Sequence, residues 1–173
     1  HTVVGGVLVM TNFVDDPQEW PLSSGVPSVS NRMIDLSNWP ASTECKSLRS
    51  FRSFLIALNI NKSSVPNSRV VKWSTEAPVN AVPASWDETN ATFDAGEYSL
   101  EDTKGAILDG LPLQDTFMIY KEDSVYAMTY VGTPFIFAFK QLSPSVGALA
   151  RNCVAEFDGG HFILVNGGFY INE

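Results

Sequence analysis

The sequence predicts an all-β protein made of antiparallel four-stranded sheets that resemble the blades of a β-propeller. Short runs rich in β-branched and aromatic residues are separated by Gly, Pro, Asp or Ser, and the 173 residues include 12 Gly and 10 Pro. Almost no segment keeps a helical period for more than about ten residues. Fewer units are visible than the roughly four blades that a closed propeller needs, so we expect an incomplete propeller.

The clearest unit is Lys104–Leu142, where four short runs follow one another as an antiparallel meander. Within it Phe117 and Ile119 alternate with Met118 and Tyr120, so both faces carry large apolar side chains. A sheet that is apolar on both faces is covered on both faces. This unit is therefore expected to lie between two neighbours, as a propeller blade does.

Two weaker copies flank this meander. His161–Ile171 repeats the layout of Thr116–Ala127 at an offset of about 45 residues, close to the roughly 40–50 residues of propeller repeats. Phe54–Leu58 begins in the same way, and a second strand, Arg69–Ser74, follows after a longer insertion. The expected organisation is a single β domain, 1–173, with blade-like units at roughly 1–75, 104–142 and 152–173 and long loops at 12–41 and 75–103.

Shorter segments complete this prediction. Because Trp before Pro is held extended, the Trp-Pro segments indicate loops that an indole can fix to the body of the protein. The other segments are a strand Val3–Thr11, an irregular stretch Asn12–Ala41, a turn of helix within Ser42–Arg52, a helical turn Val146–Arg151, and a strand Cys153–Phe157.

The formal net charge of −8 argues against nonspecific attraction to nucleic acid or to an anionic membrane, because both are polyanions. No run of about 18 apolar residues indicates a membrane span, and no basic-then-apolar leader is visible. The chain begins at His1 and stops after a strand, which we interpret as a piece of a longer polypeptide. Open sheet edges template association, so self-association or a partner chain is expected.

Catalytic and metal-binding patterns are sparse. The two histidines, His1 and His161, and the two cysteines, Cys45 and Cys153, make a poor zinc set. His161 lies in an apolar run, which favours a hydrogen-bonded core or rim histidine, and the cysteines are interpreted as thiols or, alternatively, as a disulfide. The acids of Thr75–Asp102 do not keep calcium-loop spacing. No phosphate loop, dinucleotide fingerprint or nucleophile elbow occurs, so no catalytic residue, metal or cofactor is predicted and the chain is expected not to be an enzyme.

The candidate partner contacts are three tryptophans and one acidic corner. Trp20, Trp39 and Trp86 are either structural anchors of loops or platforms for a sugar or a partner. Glu122 and Asp123 stand at the predicted hairpin corner of the central meander, where they form either a solvated turn or a contact.

A longer succession of segments resembles one known family, the tail nozzle proteins of short-tailed bacteriophages, also called tail tubular protein B. The similarity runs from about Trp20 to Tyr170 and includes a Lys-Glu-Asp-Ser corner before a strand that ends in Tyr-hydrophobic-Gly. Its segments are Phe54–Asn59, Val70–Ser74, Pro83–Asp87, Asp94–Glu97, Ile107–Leu111, Phe117–Ser124, Tyr130–Gly132 and Phe135–Phe137.

The resemblance implies a propeller-containing structural subunit that assembles as a ring at the tip of the tail and forms the channel for DNA ejection. It implies a location in the virion after a soluble stage in the host cytoplasm. The implied partners are further copies, other tail proteins, and genomic DNA that passes without specific binding. The main alternative is a β-propeller or β-sandwich module that binds carbohydrate or protein, and a hydrolytic propeller with converging acids is a second one.

Overall fold

A computed structural model describes residues 1–23, 25–27 and 30–172, and the chain forms two compact units, His1–Ser99 and Leu100–Glu173. Ser24, Ser28 and Val29 of the predicted loop 12–41, and Glu173 at the end of the predicted unit 152–173, lie outside the described residues. The described part is 53% strand and 0% helix. Four antiparallel sheets of three or four strands confirm the prediction of an all-β fold with propeller-like blades.

The first unit contains two four-stranded sheets and one small ribbon. Its strands in the described residues are β1 (Thr2–Val4), β2 (Val7–Met10), β3 (Gln18–Glu19), β4 (Leu22–Ser23), β5 (Val26–Pro27), β6 (Ile34–Asp35), β7 (Thr43–Phe51), β8 (Phe54–Lys62), β9 (Val65–Trp73) and β10 (Gly96–Ser99). The sheet orders are β1-β2-β3-β6 and β10-β9-β8-β7, and β4 pairs with β5. The segment 1–75, expected as one blade-like unit, is therefore shared between two sheets.

The predicted single strand Val3–Thr11 is wrong, because Gly5 and Gly6 turn the chain back on itself. Their φ angles are 55° and 88°, and Val4 pairs directly with Val7 across the turn. Two successive residues at positive φ match the right-handed twist of a hairpin. A Cβ at Gly5 would lie 2.4 Å from the carbonyl oxygens of Pro78 and Ala81, so no other residue fits there without movement.

The longer insertion predicted between Phe54–Leu58 and Arg69–Ser74 is also absent from the described fold. Both strands extend until Lys62 pairs with Val65, and only Ser63 and Ser64 remain in the turn. These serines have φ angles of 50° and 65°. Asn-Gly or Asp-Gly is the usual sequence signal for a two-residue hairpin turn with positive φ angles. A Ser-Ser pair gives no such signal.

The helical turn predicted within Ser42–Arg52 is wrong, because this segment is strand β7. It pairs with β8 over its whole length, from Thr43 opposite Lys62 to Phe51 opposite Phe54. Long pairing with the most buried strand of the sheet outweighs the local helical preference that the sequence indicated.

The core of the first unit joins its two four-stranded sheets. Val4, Val7 and Val9 of the first sheet pack in one cluster with buried residues of β7 and β8 and with Trp86. The loop that carries Trp86 is thus held by the core, which fixes the acidic residues that follow it.

The second unit contains a four-stranded meander and a three-stranded sheet. Its strands are β11 (Ile107–Leu113), β12 (Thr116–Lys121), β13 (Val125–Gly132), β14 (Ile136–Ser143), β15 (Val154–Phe157), β16 (Gly160–Val165) and β17 (Gly168–Asn172). The orders β11-β12-β13-β14 and β15-β16-β17 confirm the central meander and its shorter copy. Phe117, Met118, Ile119 and Tyr120 are all buried, so β12 is covered on both faces as expected.

The helical turn predicted at Val146–Arg151 is wrong, because this segment bonds to two sheets instead of to itself. The Ala148 amide donates to Lys121 O and the Leu149 amide donates to Leu164 O, both at 2.9 Å. Gly147 lies so near the β12–β13 corner that a Cβ there would be 2.2 Å from Lys121 O. No helix in residues 1–23, 25–27 and 30–172 has the length and apolar character needed to cross a membrane.

Candidate functional site

The tryptophans do not form an exposed, coplanar set. Trp86 is 2% exposed and Trp73 is buried as well, whereas Trp39 lies edge-on against Trp86 with ring centroids 4.7 Å apart and an interplanar angle of 76°. The Trp39 Nε1 donates to Thr43 O at 2.6 Å. Trp20 is half-buried, and its backbone amide donates to Leu8 O. The contact role of Trp20, Trp39 and Trp86 stays a prediction, and the arrangement of Trp39 and Trp86 is that of loop anchors.

A pocket of about 560 Å³ in the first unit lies beside Trp86. We call it the Trp86 pocket and define it by Lys62, Lys72, Ser85, Trp86, Asp87 and Glu88. Strand β8 supplies the first lysine at its end, β9 supplies the second, and the loop after β9 supplies the other four residues. The indole Nε1 of Trp86 is buried and has no hydrogen-bond partner among the described residues.

Two lysines and two glutamates form one ionic network at this pocket. Lys72, only 1% exposed, bonds to Glu88, and its Nζ lies 3.5 Å from Glu97 Oε2. Lys62 bonds to Glu97, and its Nζ lies 3.3 Å from Glu88 Oε1. A lysine is buried in a protein only when its charge is paired, so the two carboxylates account for the position of Lys72.

The network shifts the ionisation of its members. Burial favours the neutral form of Glu88, but hydrogen bonds from Lys72 and Lys62 outweigh it and lower the pKa of Glu88 to about 2. Burial likewise opposes the charge on Lys62, yet the hydrogen bonds and charges of Glu97 and Glu88 raise the pKa of Lys62 above its usual value. Glu88 and Lys62 are therefore both charged at neutral pH.

No motif in the sequence connects these residues, and the acids of Thr75–Asp102 do not keep the spacing of a calcium loop. The available signal was Lys72 itself, which stands in the apolar run Val70–Trp73 and therefore needs a carboxylate from elsewhere in the chain. In residues 1–23, 25–27 and 30–172, no group of three or more His, Cys, Asp or Glu side chains is arranged to hold a metal ion.

The predicted corner Glu122 and Asp123 lies between β12 and β13, and both side chains bond to the backbone that precedes β11. Glu122 Oε2 accepts from the Ala106 amide at 3.1 Å, and Asp123 Oδ2 accepts from the Gly105 amide at 2.7 Å. Burial raises the pKa of Asp123, but hydrogen bonds from Gly105 and Ser124 outweigh it, so the net pKa is lowered. The pair also lines a second pocket of about 550 Å³. Its role as a partner contact stays a prediction.

Lys121, immediately before this corner, is fully buried and bonds to the loop that opens the second unit. Its Nζ donates to Leu100 O and Thr103 O at 2.8 Å each, and to Thr103 Oγ1 at 2.6 Å. These acceptors match the three donors of an ammonium group. This lysine therefore serves as an internal tie between β12 and residues 100–103.

His161 is a buried, hydrogen-bonded histidine, in agreement with its sequence interpretation. Its Nδ1 lies 2.6 Å from the Tyr120 hydroxyl and its Nε2 lies 2.8 Å from Pro112 O. Because a carbonyl only accepts, Nε2 carries the proton and Nδ1 accepts from Tyr120. Burial lowers the pKa of His161, although the Pro112 bond and Glu156 oppose it, and burial also raises the pKa of Tyr120 to about 12.

The three-stranded sheet β15-β16-β17 has one buried face and one exposed apolar face. Val154, His161, Ile163 and Val165 share the buried face. The register places the following residues on the opposite face, which we call the Phe face: Phe157, Phe162, Leu164, Phe169 and Ile171.

Four members of the Phe face are exposed to an unusual degree for large apolar side chains. The exposed fractions are 69% for Phe157, 39% for Phe162, 63% for Phe169 and 62% for Ile171. The rings of Phe162 and Phe169 stack with centroids 4.9 Å apart. The alternation of apolar residues on both faces of this strand pair was visible in the sequence as a copy of the central meander. The central meander is covered on both faces, whereas one face of this shorter copy is exposed.

No family model matches this chain, and no curated protein matches it. The functional assignment therefore depends on the residues and geometry described above.

Proposed function

We propose that this chain is a non-enzymatic structural segment of a phage tail nozzle, which associates with further copies and with other tail proteins through its exposed sheet surface. The single observation that supports this proposal is the Phe face. A blade of a propeller is covered on both faces by its neighbours, and contiguous exposed apolar surface marks an interaction site. A neighbouring sheet of the same type would bury Phe157, Phe162, Phe169 and Ile171.

The edges of the same sheet support association as well. Among the described residues, β15 and β17 each pair only with β16, so each has one side whose backbone groups can accept another strand. Burial of apolar side chains contributes about 25 cal/mol per Å². Association through this sheet would thus combine burial of its apolar face with strand pairing at its edges.

The positions of the ionisable residues support a structural role over a catalytic one. The side chains that chemistry would use, Lys72, Lys121 and His161, each bond to partners in their own unit. A general acid or base has to reach a substrate, whereas these groups hold strands and loops together. We therefore propose that the chain has no enzymatic activity.

The charge of the chain supports the proposed passage of DNA. A net charge of −8 gives an acidic surface that repels phosphates. A channel wall of this type lets a duplex pass without specific binding, because tight binding to the backbone requires Lys and Arg contacts that release counterions. In this proposal the protein is soluble in the host cytoplasm before assembly and resides in the virion afterwards.

The proposal is tested by light scattering of the purified chain across a concentration series, with electron micrographs of the same samples. We expect a defined multimer with ring-shaped particles, and we expect the mass to fall towards one chain in the double variant F162Q/F169Q. The matched control is Val79→Gln, which changes an equally apolar and 87% exposed residue of the first unit. A wild-type monomer at high concentration, or a double variant that still forms the multimer, would contradict it.

A further inference from the structure

The sheet β15-β16-β17 differs from the central meander in its last strand. In the sequence repeat β16 corresponds to β12 and β17 to β13. Strand β13 pairs with β12 on one side and with β14 on the other, whereas β17 pairs only with β16 among the described residues. The free edge of β17 is therefore the place where a fourth antiparallel strand would complete the sheet.

The hydrogen bonds of β16 show which backbone groups lie on this free edge. The Leu164 amide donates to Cys153 O and Leu164 O accepts from the Leu149 amide, both at 2.9 Å, so Leu164 bonds away from β17. Its register partner Phe169 therefore belongs to a pair without hydrogen bonds. Such pairs recur at every second residue of an antiparallel ladder, so Ile171 belongs to the same class. The N–H and C=O groups of Phe169 and Ile171 thus point to the free edge.

Strand β17 lacks the residues that usually protect a long edge strand, which are charged residues and proline. Within residues 1–23, 25–27 and 30–172, every other edge strand of four or more residues contains at least one of them: Glu44, Lys46 and Arg49 in β7, Glu97 in β10, Asp109 and Pro112 in β11, Lys140 in β14 and Glu156 in β15. The five residues Gly168–Asn172 contain none. Tyr170 in the middle of β17 is 52% exposed, although its partner Ile163 is buried.

A mostly apolar pocket of about 240 Å³ borders the same edge. Tyr170, Ile171 and Asn172 line it from β17, and Val125 and Leu142 line it from the ends of β13 and β14. Successive side chains of a strand point to opposite faces, so a pocket that contacts three successive residues of β17 reaches the rim of that strand. A strand added beside β17 would place an apolar side chain in this pocket.

We infer that β17 accepts a fourth antiparallel strand from another protein, an extended segment with apolar residues at alternate positions. The incoming backbone bonds to Phe169 and Ile171, and one of its apolar side chains packs beside Leu142. A second copy is a poor donor, because each strand of the described chain already pairs within its own sheets. The inference rests on the proposed association with other tail proteins, and it adds the edge that receives the partner and the chemistry of the segment.

The test uses the full chain and a synthetic peptide with the sequence of β14, Ile136–Ser143, blocked at both ends, because this strand completes the central meander. Amide hydrogen exchange followed by NMR measures the protection of Phe169 and Ile171. At a peptide concentration of about ten times its Kd, exchange of both amides should slow by about tenfold, since only the free chain exposes them. A control peptide with Ala138→Pro has lost a backbone donor and should protect them less.

Two pairs of variants locate the binding site. Ile171→Pro removes an edge N–H that does not bond to β16, whereas Ile171→Ala shortens the same side chain and keeps the N–H. The proline variant should bind the peptide about fivefold to tenfold more weakly than the alanine variant, in line with the loss of one hydrogen bond. Leu142→Gln should also weaken binding, and the control Leu149→Gln changes a similarly exposed leucine outside the pocket.

The absence of added protection at Phe169 and Ile171 would overturn the inference, as would protection confined to β15. Equal binding by Ile171→Pro and Ile171→Ala would do so too. If the proline variant does not fold, equal binding by Leu142→Gln and Leu149→Gln decides against the site. These results are independent of the solution mass. A multimer that binds no peptide contradicts only this inference, whereas a monomer that binds it contradicts only the proposed self-association.

Discussion

The two units each bury a lysine, but they satisfy its charge in opposite ways. Lys72 in the first unit bonds to carboxylates whose side chains are about 30% exposed. Lys121 in the second unit donates to two backbone carbonyls and one hydroxyl of residues 100–103. A partner that water can reach recovers its hydration when the lysine is removed, whereas a buried carbonyl cannot. The first arrangement can therefore be part of a binding site, and the second is a structural tie.

The largest effect is expected from Lys121→Met, which leaves the carbonyls of Leu100 and Thr103 without their donor. The free energy of unfolding of the second unit should fall by about 3–5 kcal/mol, because each unpaired buried polar group costs about 1–3 kcal/mol. Urea denaturation followed by amide hydrogen exchange measures the loss. The control Lys140→Met removes an exposed charge and should change stability by less than about 0.5 kcal/mol. Equal stabilities would show that the tie at Lys121 contributes nothing.

A smaller loss is expected from Lys72→Met. Glu88 and Glu97 can hydrate once the ammonium is removed, so the first unit should lose only about 1–2 kcal/mol. A double-mutant cycle with Glu88→Gln isolates the pair energy. We expect favourable coupling that weakens at high salt, because the carboxylates are partly exposed. A loss of stability as large as that expected for Lys121→Met would show that the two buried lysines contribute to stability to the same extent.

The smallest effect, counted per pH unit, concerns the pH dependence of stability, and it should separate the two units. The folded pKa of His161 is lowered, so its contribution to the second unit is complete above the unfolded value near 6.5 and declines as the pH falls below it. Glu88 has a folded pKa of about 2, so its contribution to the first unit is complete above about 4.5 and declines between that pH and about 2. Each of these groups binds one proton, so the free energy of unfolding changes by at most about 1.4 kcal/mol per pH unit for each group.

Hydrogen exchange of the amides in each unit as a function of pH measures these slopes. Stability of the second unit should begin to fall at the higher pH, and His161→Gln should remove that part of its slope without affecting the first unit. Glu88→Gln should remove the corresponding slope of the first unit at lower pH without affecting the second unit. A first unit that responds to acid before the second would contradict the assignment of these shifts.

The sequence was sufficient for the fold class and for the strands of the second unit, because those strands are bounded by clear turn signals. Asp158-Gly159 and Asn166-Gly167 separate the last three strands, and the polar residues Glu122 and Asp123 mark the turn between β12 and β13. The first unit was harder to predict. Ser63 and Ser64 adopt positive φ without the Asn or Gly that announces it, so the β8–β9 hairpin was missed. The segment Ser42–Arg52 was predicted to contain a turn of helix, and its pairing with β8 makes it a strand instead.

The site was less predictable than the fold, because its members are distant in sequence. Lys62, Lys72, Glu88 and Glu97 come together only when β8, β9, the loop after β9 and β10 have folded. The indoles were interpreted as anchors or platforms, and the sequence gives no sign that Trp86 is only 2% exposed. The Phe face is exposed because the opposite face of the sheet β15-β16-β17 packs on the core. Both faces carry apolar residues, so alternation in the sequence cannot tell which of them is buried.

The close approach of Gly147 to Lys121 O has a consequence for the order of events during synthesis. The loop at 144–149 rests on the β12–β13 corner, so it can dock only on a corner that already exists. The ribosome releases the meander before this loop, and the loop before the three-stranded sheet. Local hairpins form quickly, so the corner that the loop contacts can already be folded when the loop emerges.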